Sequence, residues 1–167
     1  MFIVNKNPKN PIIAPAGEHT WESKGAFNPC PVKVGEDTYI LYRALGAPDP
    51  LYAPSGLSTV NIAVSKGGSA FLKTGRFIVP ARPWDMAGCE DPRVTFFEGR
   101  YVIFYTALGG YPFNAGNIRV GVALSRDLKR IDEKHLVTPF NAKAMALFPE
   151  RINGKVVAIF SVHTDEP

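Results

Sequence analysis

The chain has 167 residues, of which 46% are hydrophobic and 20% charged, so its composition is that of a globular domain with a real core. The formal net charge of +4 is mild and Lys and Arg form no block, which argues against nucleic acid as a partner. No apolar run approaches the ~20 residues of a membrane-spanning helix, and the start lacks the apolar stretch of a signal peptide. We expect a cytoplasmic protein with no membrane partner.

The first part of the chain predicts short β-strands separated by turns. Runs rich in Val, Ile, Tyr and Phe lie between turn signals such as Gly35-Glu36-Asp37 and Lys66-Gly67-Gly68. Fifteen Pro and fifteen Gly leave little room for long helices. We therefore expect an all-β chain, whose first strands cover residues 32–34, 38–43, 61–65 and 76–79.

The middle of the chain predicts a hairpin and one short helical turn. Residues 96–101, with the sequence FFEGRY, indicate a tight turn between two strands. Residues 129–135 are the one segment that favours a turn of helix. Cys30 and Cys89 occupy matching places, and two cysteines build neither a disulfide framework nor, alone, a metal site. We expect both to be buried free thiols.

An internal repeat runs through the chain. Its first two copies open with Asn28-Pro29 and Asp91-Pro92, which are 63 residues apart, and each continues into a turn glycine and an apolar strand. A weaker third copy opens with Phe148-Pro149. Self-similarity at a fixed period is the signature of a repeat architecture. We place the units at residues 27–88, 89–146 and 147–167, the last of them incomplete.

Units of about four short strands are typical of β-propeller blades. Two stacked β-sandwich halves are the alternative, which is less favoured because the repeats run on rather than reversing. Propellers close with about 4 to 8 blades, whereas this chain holds two full units and the opening of a third. The sequence therefore predicts a partial propeller, either a fragment of a longer chain or one piece of an assembly.

The segment Glu90-Asp91-Pro92-Arg93 is the strongest candidate for chemistry. Asp91 stands where the first copy has the amide of Asn28 and the third a phenyl ring, so the repeat does not itself require an acid. Pro92 restricts the residue before it to extended or turn backbone. Glu90 and Arg93 flank that residue, and charged neighbours shift the pKa of a carboxyl. Asp91 is either a site acid near the central channel or half of a structural ion pair with Arg93.

Seven short motifs cover essentially the whole chain in order. They are Asn5 to Pro15, Trp21-Glu22, Phe27-Asn28-Pro29, Tyr42-Arg43, Gly88 to Arg93, Tyr105-Thr106-Ala107 and Leu147 to Lys155. Each motif is weak alone. Together they resemble glycoside hydrolase family 130, the family of β-mannoside phosphorylases and related β-mannosidases.

The resemblance implies a five-bladed β-propeller with its active site at the mouth of the axial channel, of which this chain supplies about two and a half blades. It maps Asp91 onto the proton donor and places Asn28 and Arg43 in the sugar site. The counterpart of Arg43 in the second repeat is Thr106, so the repeat does not demand an arginine there. A surface ion pair is the alternative role for Arg43.

The resemblance also implies cationic groups for inorganic phosphate, at two places where this chain departs from the pattern. The family commonly has an Arg-Asn pair before L-F-P and a His-Arg pair after the next strand. Here the first place reads Lys143-Ala144, and the second offers His163 with no arginine after it. Lysine supplies a point charge but not the forked contact of arginine. Lys143 is equally consistent with a solvated loop lysine.

Two reaction schemes remain open. In inverting phosphorolysis one acid, Asp91, protonates the leaving oxygen while phosphate attacks the anomeric carbon. In inverting hydrolysis a second carboxyl, ~6.5–9.5 Å away, must activate water. Asp165 and Glu166 are candidates for that base only because they follow a motif strand. A non-catalytic propeller that binds sugar or protein is the alternative outside enzymes.

The remaining expectations concern the substrate and its contacts. We expect an oligosaccharide as partner, with Glu90, Arg93 and the aromatic face of Trp84 among its contacts. Trp84 lies in the irregular stretch 80–88 and is the aromatic residue that we expect to be an exposed platform. We expect no metal and no cofactor beyond inorganic phosphate as co-substrate. A homo-oligomer is compatible with these features.

Overall fold

The computed structural model describes residues 5–18, 21–51 and 53–164, and its regular elements are β-strands apart from one turn of 3-10 helix at Ala115–Asn117. The prediction of an all-β chain is confirmed. The strands are β1 (Gly25–Val34), β2 (Asp37–Leu45), β3 (Ser58–Lys66), β4 (Leu72–Ile78), β5 (Gly88–Phe97), β6 (Arg100–Leu108), β7 (Ile118–Ser125), β8 (Glu133–Leu136), β9 (Ala142–Leu147) and β10 (Ala158–Val162). Within those described ranges, no helix is long and apolar enough to cross a membrane.

The strands form three consecutive units. Unit 1 is the antiparallel series β1 to β4, unit 2 is the equivalent series β5 to β8, and unit 3 is the pair β9 and β10. A single parallel bridge between Ser58 and Gly88 joins units 1 and 2. Their largest core cluster includes Leu41 and Val60 from unit 1 with Ile103 and Tyr105 from unit 2. Burial of such apolar side chains, at about 1.5–3 kcal/mol each, holds the two units together.

The hairpin turn in the sequence FFEGRY is confirmed. Glu98 and Gly99 connect β5 to β6 with φ values of 46° and 83°, the positive pair that a two-residue type I′ turn needs. Residues 129–135 contain no helix, so that prediction is wrong. Bends there lead into β8, where the ladder with β7 outweighs a weak helical preference.

A bulge near the start of the first strand of each unit gives the true alignment of the repeat. In all three units two residues of that strand oppose one on the next, and the first of the two has left-handed backbone. These residues are Asn28 (φ 47°), Asp91 (φ 51°) and Ala144 (φ 55°). In unit 3 the residue that corresponds to Asp91 is therefore Ala144, which has a methyl side chain and not the phenyl ring predicted from the sequence.

The start of unit 3 differs from the predicted boundary at residue 147. Its first strand begins at Ala142, because the hairpin of this unit is longer. Eight residues lie between Ala144 and the turn residue Asn153, against six between Asp91 and Glu98. Pro149 consequently lies beyond the position of Pro92, and the proline spacing gave the wrong match.

A buried acid ties the loop before unit 2 to its strands. Asp85 is fully buried, accepts from the Tyr105 hydroxyl at 2.9 Å, and pairs with Lys134 Nζ at 2.5 Å. Its other oxygen accepts the backbone N–H groups of Ala81 and Arg82. Burial alone would raise the pKa of Asp85, but these N–H groups and Lys134 lower it below its ordinary value.

Unit 1 carries a corresponding acid, tyrosine and lysine about 60 residues earlier in the sequence. Glu22 is buried, accepts from the Tyr42 hydroxyl at 2.8 Å and pairs with Lys73 Nζ at 2.7 Å. We call these two arrangements the acid locks. Burial and the neighbouring acid raise the pKa of Tyr42, as they do for its unit 2 counterpart, so these hydroxyls stay protonated donors.

Candidate functional site

The bulges of β1 and β5 bring two side chains from different units together. Asn28 Nδ2 donates a 2.7 Å hydrogen bond to Asp91 Oδ1. Asn and Asp tolerate left-handed backbone better than most residues, which suits both to the first bulge position. A bulge re-aims the side chain it carries. The Asp91 side chain keeps 30% of its surface exposed, so the carboxyl is fixed by one bond and still accessible.

A guanidinium and a second acid complete the group. Arg43 Nη2 lies 2.6 Å from Glu90 Oε1, whereas Arg43 Nη1 lies 3.9 Å from Asp91 Oδ1. Ser58 Oγ accepts from Arg43 Nε at 3.1 Å and donates to Glu90 Oε1 at 2.9 Å. We call Asn28, Arg43, Ser58, Glu90 and Asp91 the acid cluster. It combines an accessible carboxyl with a cation held mainly by another acid.

The electrostatics of the acid cluster centre on Glu90. Burial raises the pKa of Glu90 above its ordinary value, against the opposing effects of Arg43 and Ser58. The Asp91 charge raises that pKa as well, and Lys143 lowers it. Lys143 belongs to β9, so unit 3 contributes positive potential to a site built by units 1 and 2.

Arg93 does not form the structural ion pair considered from the sequence. Its Nη1 donates to the carbonyl of Pro92 at 2.9 Å. In the described part of the chain, the cation paired with Asp91 is Arg43. Glu90 and Arg93 thus differ: Glu90 is a member of the acid cluster, and Arg93 braces the backbone beside it.

Trp84 is a half-buried scaffold residue rather than an exposed platform, so that expectation is wrong. It packs against the core shared by units 1 and 2, and its indole nitrogen is buried. Trp84 precedes Asp85 as Trp21 precedes Glu22, so the Trp–acid pair belongs to the repeated acid lock. A groove of about 320 Å³, lined also by Gly109 and Arg119, runs beside the indole.

Of the two predicted phosphate residues, Lys143 lies on β9 and His163 directly follows the neighbouring strand β10. Lys143 is half-buried on β9, directly before the bulge residue Ala144 and at the position that Glu90 has in unit 2. His163 follows β10, donates its backbone N–H to Asn141 O at 3.1 Å, and stacks on Phe140 with ring centroids 6.2 Å apart. Asp165 and Glu166, the base candidates of the hydrolytic scheme, lie outside the described residues.

Ser58 is the member of the acid cluster that the sequence did not identify. The strand register makes Ile118 its counterpart in unit 2, because Ser58 pairs with Leu45 as Ile118 pairs with Leu108. Twelve residues separate Leu45 from Ser58 and nine separate Leu108 from Ile118, so the correspondence is hidden in the sequence. Once the strand register aligns Ser58 with Ile118, the polar residue in unit 1 stands out against the apolar one in unit 2. That contrast is the signal that identifies Ser58.

Cys30 and Cys89 are free thiols, as predicted, although only Cys89 is fully buried. Burial raises the pKa of the Cys89 thiol, which makes it unreactive. Cys30 Sγ accepts the backbone N–H of Val94 at 3.3 Å and so helps to join unit 1 to unit 2. Among the described residues, no group of three or more His, Cys, Asp or Glu could hold a metal ion.

Comparison with known proteins gives consistent matches. A family model described as beta-1,4-mannooligosaccharide phosphorylase matches residues 50–167. The beta-1,2-mannobiose phosphorylase of Thermoanaerobacter sp. (strain X514) is 31% identical over 164 residues, which cover 94% of this chain and 54% of that protein. The chain spans about half the length of the curated relatives it matches across nearly all its residues.

Solved structures agree on the fold. The beta-1,2-mannobiose phosphorylase from Listeria innocua, in complex with beta-1,2-mannobiose, has a TM-score of 0.74 at 20% identity over 96% of this chain and 58% of its own. A structure from work on GH130 hydrolases that target beta-1,2 mannosidic linkages in Candida mannan has a TM-score of 0.75 at 23% identity, over 93% and 52% of the two chains. At such identities the likeness shows the fold alone.

Proposed function

Since the chain belongs to glycoside hydrolase family 130, we propose that its protein cleaves β-mannosidic bonds of oligosaccharides by inverting phosphorolysis, with Asp91 as the proton donor. The observation that carries this proposal is the acid cluster. It presents one accessible carboxyl on a bulge, fixed by Asn28 at 2.7 Å, at a position where the other units have an amide and a methyl group.

The proposal includes a five-bladed β-propeller of which this chain forms about two and a half blades. Units 1 and 2 are four-stranded antiparallel series and unit 3 supplies the first two strands of another. The bulges of β1 and β5 both direct their residues to one place, as the inner strands of adjacent blades would at a central channel. The relatives' greater length leaves room for the remaining blades.

The proposed reaction uses Asp91 in its protonated form. Asn28 occupies Oδ1, which leaves Oδ2 to carry the proton towards the glycosidic oxygen. Phosphate attacks the anomeric carbon from the opposite face as the bond to that oxygen breaks and the oxygen takes the Asp91 proton. The products are the shortened sugar and α-mannose 1-phosphate, and Asp91 regains a proton from solvent. Arg43 and Asn28 would bind sugar hydroxyls beside the acid.

Phosphate contacts are proposed on unit 3. Lys143 acts on the electrostatics of Glu90, so its charge lies close enough to the acid cluster to attract an anion. Its single ammonium offers a point charge without the fork of an arginine. His163, at the end of the neighbouring strand, is the second proposed contact, and inorganic phosphate is the one co-substrate that we propose.

A hydrolytic reaction is the second candidate, and Ala144 favours it. Asn28 and Asp91 use their bulge positions to place a polar side chain, whereas Ala144 places only a methyl group there. The family commonly has an Arg-Asn pair where this chain has Lys143-Ala144. The proposed phosphate site therefore lacks both the arginine and the amide of that pair, which weakens it. In that scheme water replaces phosphate and needs a general base.

Phosphate dependence separates these candidates. The intact protein would be incubated with β-1,2- and β-1,4-mannobiose, with and without inorganic phosphate, and mannose 1-phosphate would be quantified. We expect mannose 1-phosphate only when phosphate is present. Turnover to free mannose without phosphate would establish the hydrolase instead. Binding of mannobiose with no turnover in either buffer would identify a non-catalytic binding protein.

A further inference from the structure

We propose that Ser58 is a positioning residue that holds the Arg43 guanidinium on Glu90 at 2.6 Å, so that its contact with Asp91 stays at the longer distance of 3.9 Å. The inference rests on the proposed role of Asp91 as proton donor. An acid of this kind must still hold its proton when the substrate binds. A guanidinium in contact with it would favour the ionised form. The distance between Arg43 and Asp91 therefore matters for the reaction, and Ser58 controls it.

The hydrogen bonds of Ser58 form a closed triangle. The residue is buried, with 2% of its surface exposed, so its hydroxyl has few partners to choose from. It accepts from Arg43 Nε and donates to Glu90 Oε1, and Glu90 Oε1 lies 2.6 Å from Arg43 Nη2. Two anchors thus hold the guanidinium on the Glu90 side, and Nη1 stays 3.9 Å from Asp91, beyond hydrogen-bond distance.

The other cations around the pair Glu90 and Asp91 are Arg93 and Lys143. Arg93 on β5 is directed to the Pro92 carbonyl, and the charge of Lys143 on β9 acts on Glu90. The strands β1, β3 and β6 bring the uncharged side chains Asn28, Ser58 and Thr106. In the described ranges, Arg43 is the cation for which an ion pair with Asp91 is observed, so its placement is the one that the inference concerns.

The fold does not itself require the hydroxyl. The counterpart of Ser58 in unit 2 is Ile118, and the counterpart of Arg43 is Thr106. A branched side chain is therefore compatible with this strand position. Ser58→Thr keeps the hydroxyl, whereas Ser58→Val has a methyl group in its place. Threonine and valine have nearly the same shape, so the two variants form a matched pair.

Two measurements on the intact protein test the inference. The first is the pH dependence of mannobiose phosphorolysis. In Ser58→Val we expect the limb where kcat falls as the pH rises to move down by about one pH unit, which is about tenfold in kcat on that limb, with KM changed less than twofold. Ser58→Thr should keep the wild-type profile. Equal profiles for the two variants would overturn the inference.

The second measurement is a crystal structure of Ser58→Val, which does not depend on activity. We expect Arg43 Nη1 to move within about 3 Å of an Asp91 oxygen. An unmoved guanidinium would overturn the inference even if catalysis were altered. If the wild-type protein turns over no β-mannoside, the proposed function fails, and the Arg43 position still decides the role of Ser58. Should Ser58→Val not fold, Ser58→Ala serves in both measurements.

Discussion

Asp85 and Asp91 are six residues apart on the same segment, yet they belong to different kinds of surroundings. Asp85 has a counterpart in unit 1, Glu22, with the same tyrosine and lysine partners. Asp91 has Asn28 and Ala144 as counterparts, and its cation Arg43 corresponds to Thr106. In a repeated fold, an acid that recurs with its partners supports the scaffold, and an acid that appears once is the candidate for chemistry.

The burial of the two acids supports the same distinction. Asp85 is fully buried with bonds to both oxygens, so its substitution acts on stability. The Asp91 side chain is 30% exposed and takes one hydrogen bond from Asn28. Its substitution should act on function. Stability and activity measurements on variants of the two acids therefore separate these roles.

The largest effect is expected for Asp85→Asn. This change leaves the Lys134 ammonium, whose side chain is 11% exposed, without its carboxylate partner. Loss of one member of a buried pair destabilises by about 3–5 kcal/mol. Urea unfolding would measure the change, with Asp91→Asn as the matched control, expected within about 1 kcal/mol of wild type. Equal losses for the two variants would remove the distinction drawn between them.

A smaller effect concerns the pH dependence of stability. The folded-state pKa of Asp85 lies below its ordinary value of 3.8, so its stabilising contribution is complete above that pH and is lost as the pH falls through the folded pKa. Burial raises the pKa of Glu90 above 4.5, which has the opposite sign. Its contribution is greatest below pH 4.5 and is lost as the pH rises through the folded pKa.

Unfolding measured across this pH range would distinguish the two acids. Asp85→Asn should remove part of the loss of stability at acid pH, and Glu90→Gln should remove part of the loss above pH 4.5. Wild-type pH dependence in both variants would contradict these assignments. Reversed effects would exchange the roles of the two acids.

The smallest effect is expected at the bulge of unit 3. Ala144 has left-handed backbone with φ 55°, where a Cβ is unfavourable and no polar side chain compensates. Ala144→Gly should therefore stabilise the protein by about 0.5–1 kcal/mol. Ala146→Gly on the same strand is the control and should destabilise by about as much. Destabilisation by both changes would show that the left-handed backbone at Ala144 carries no strain.

Much of the scaffold follows from the sequence because its signals are local. Short apolar runs gave the strands, and FFEGRY gave the turn at Glu98 and Gly99. The shared position of Asn28 and Asp91 in the repeat also identified two residues that the fold brings into contact. The pairing of Trp21-Glu22 with Trp84-Asp85 was visible as well, and it would have placed Trp84 in the scaffold.

The remaining features depend on strand register, which a sequence does not display. The longer hairpin of unit 3 hid the correspondence between Asp91 and Ala144. Unequal loops hid the correspondence between Ser58 and Ile118. The segment that forms β8 has a weak local preference, and pairing with β7 decides its conformation.

The most direct test of this account is the rate of mannose 1-phosphate formation by Asp91→Asn, measured on the intact protein with β-mannobiose and phosphate. Because the amide cannot donate the proton, kcat should fall by about 10²–10⁴ while the free energy of unfolding stays near that of wild type. Asp127 is an exposed acid whose side chain accepts the backbone N–H of Lys129 in its own turn, and Asp127→Asn should keep full activity. An Asp91→Asn protein with wild-type kcat would contradict the assignment of Asp91 as the proton donor.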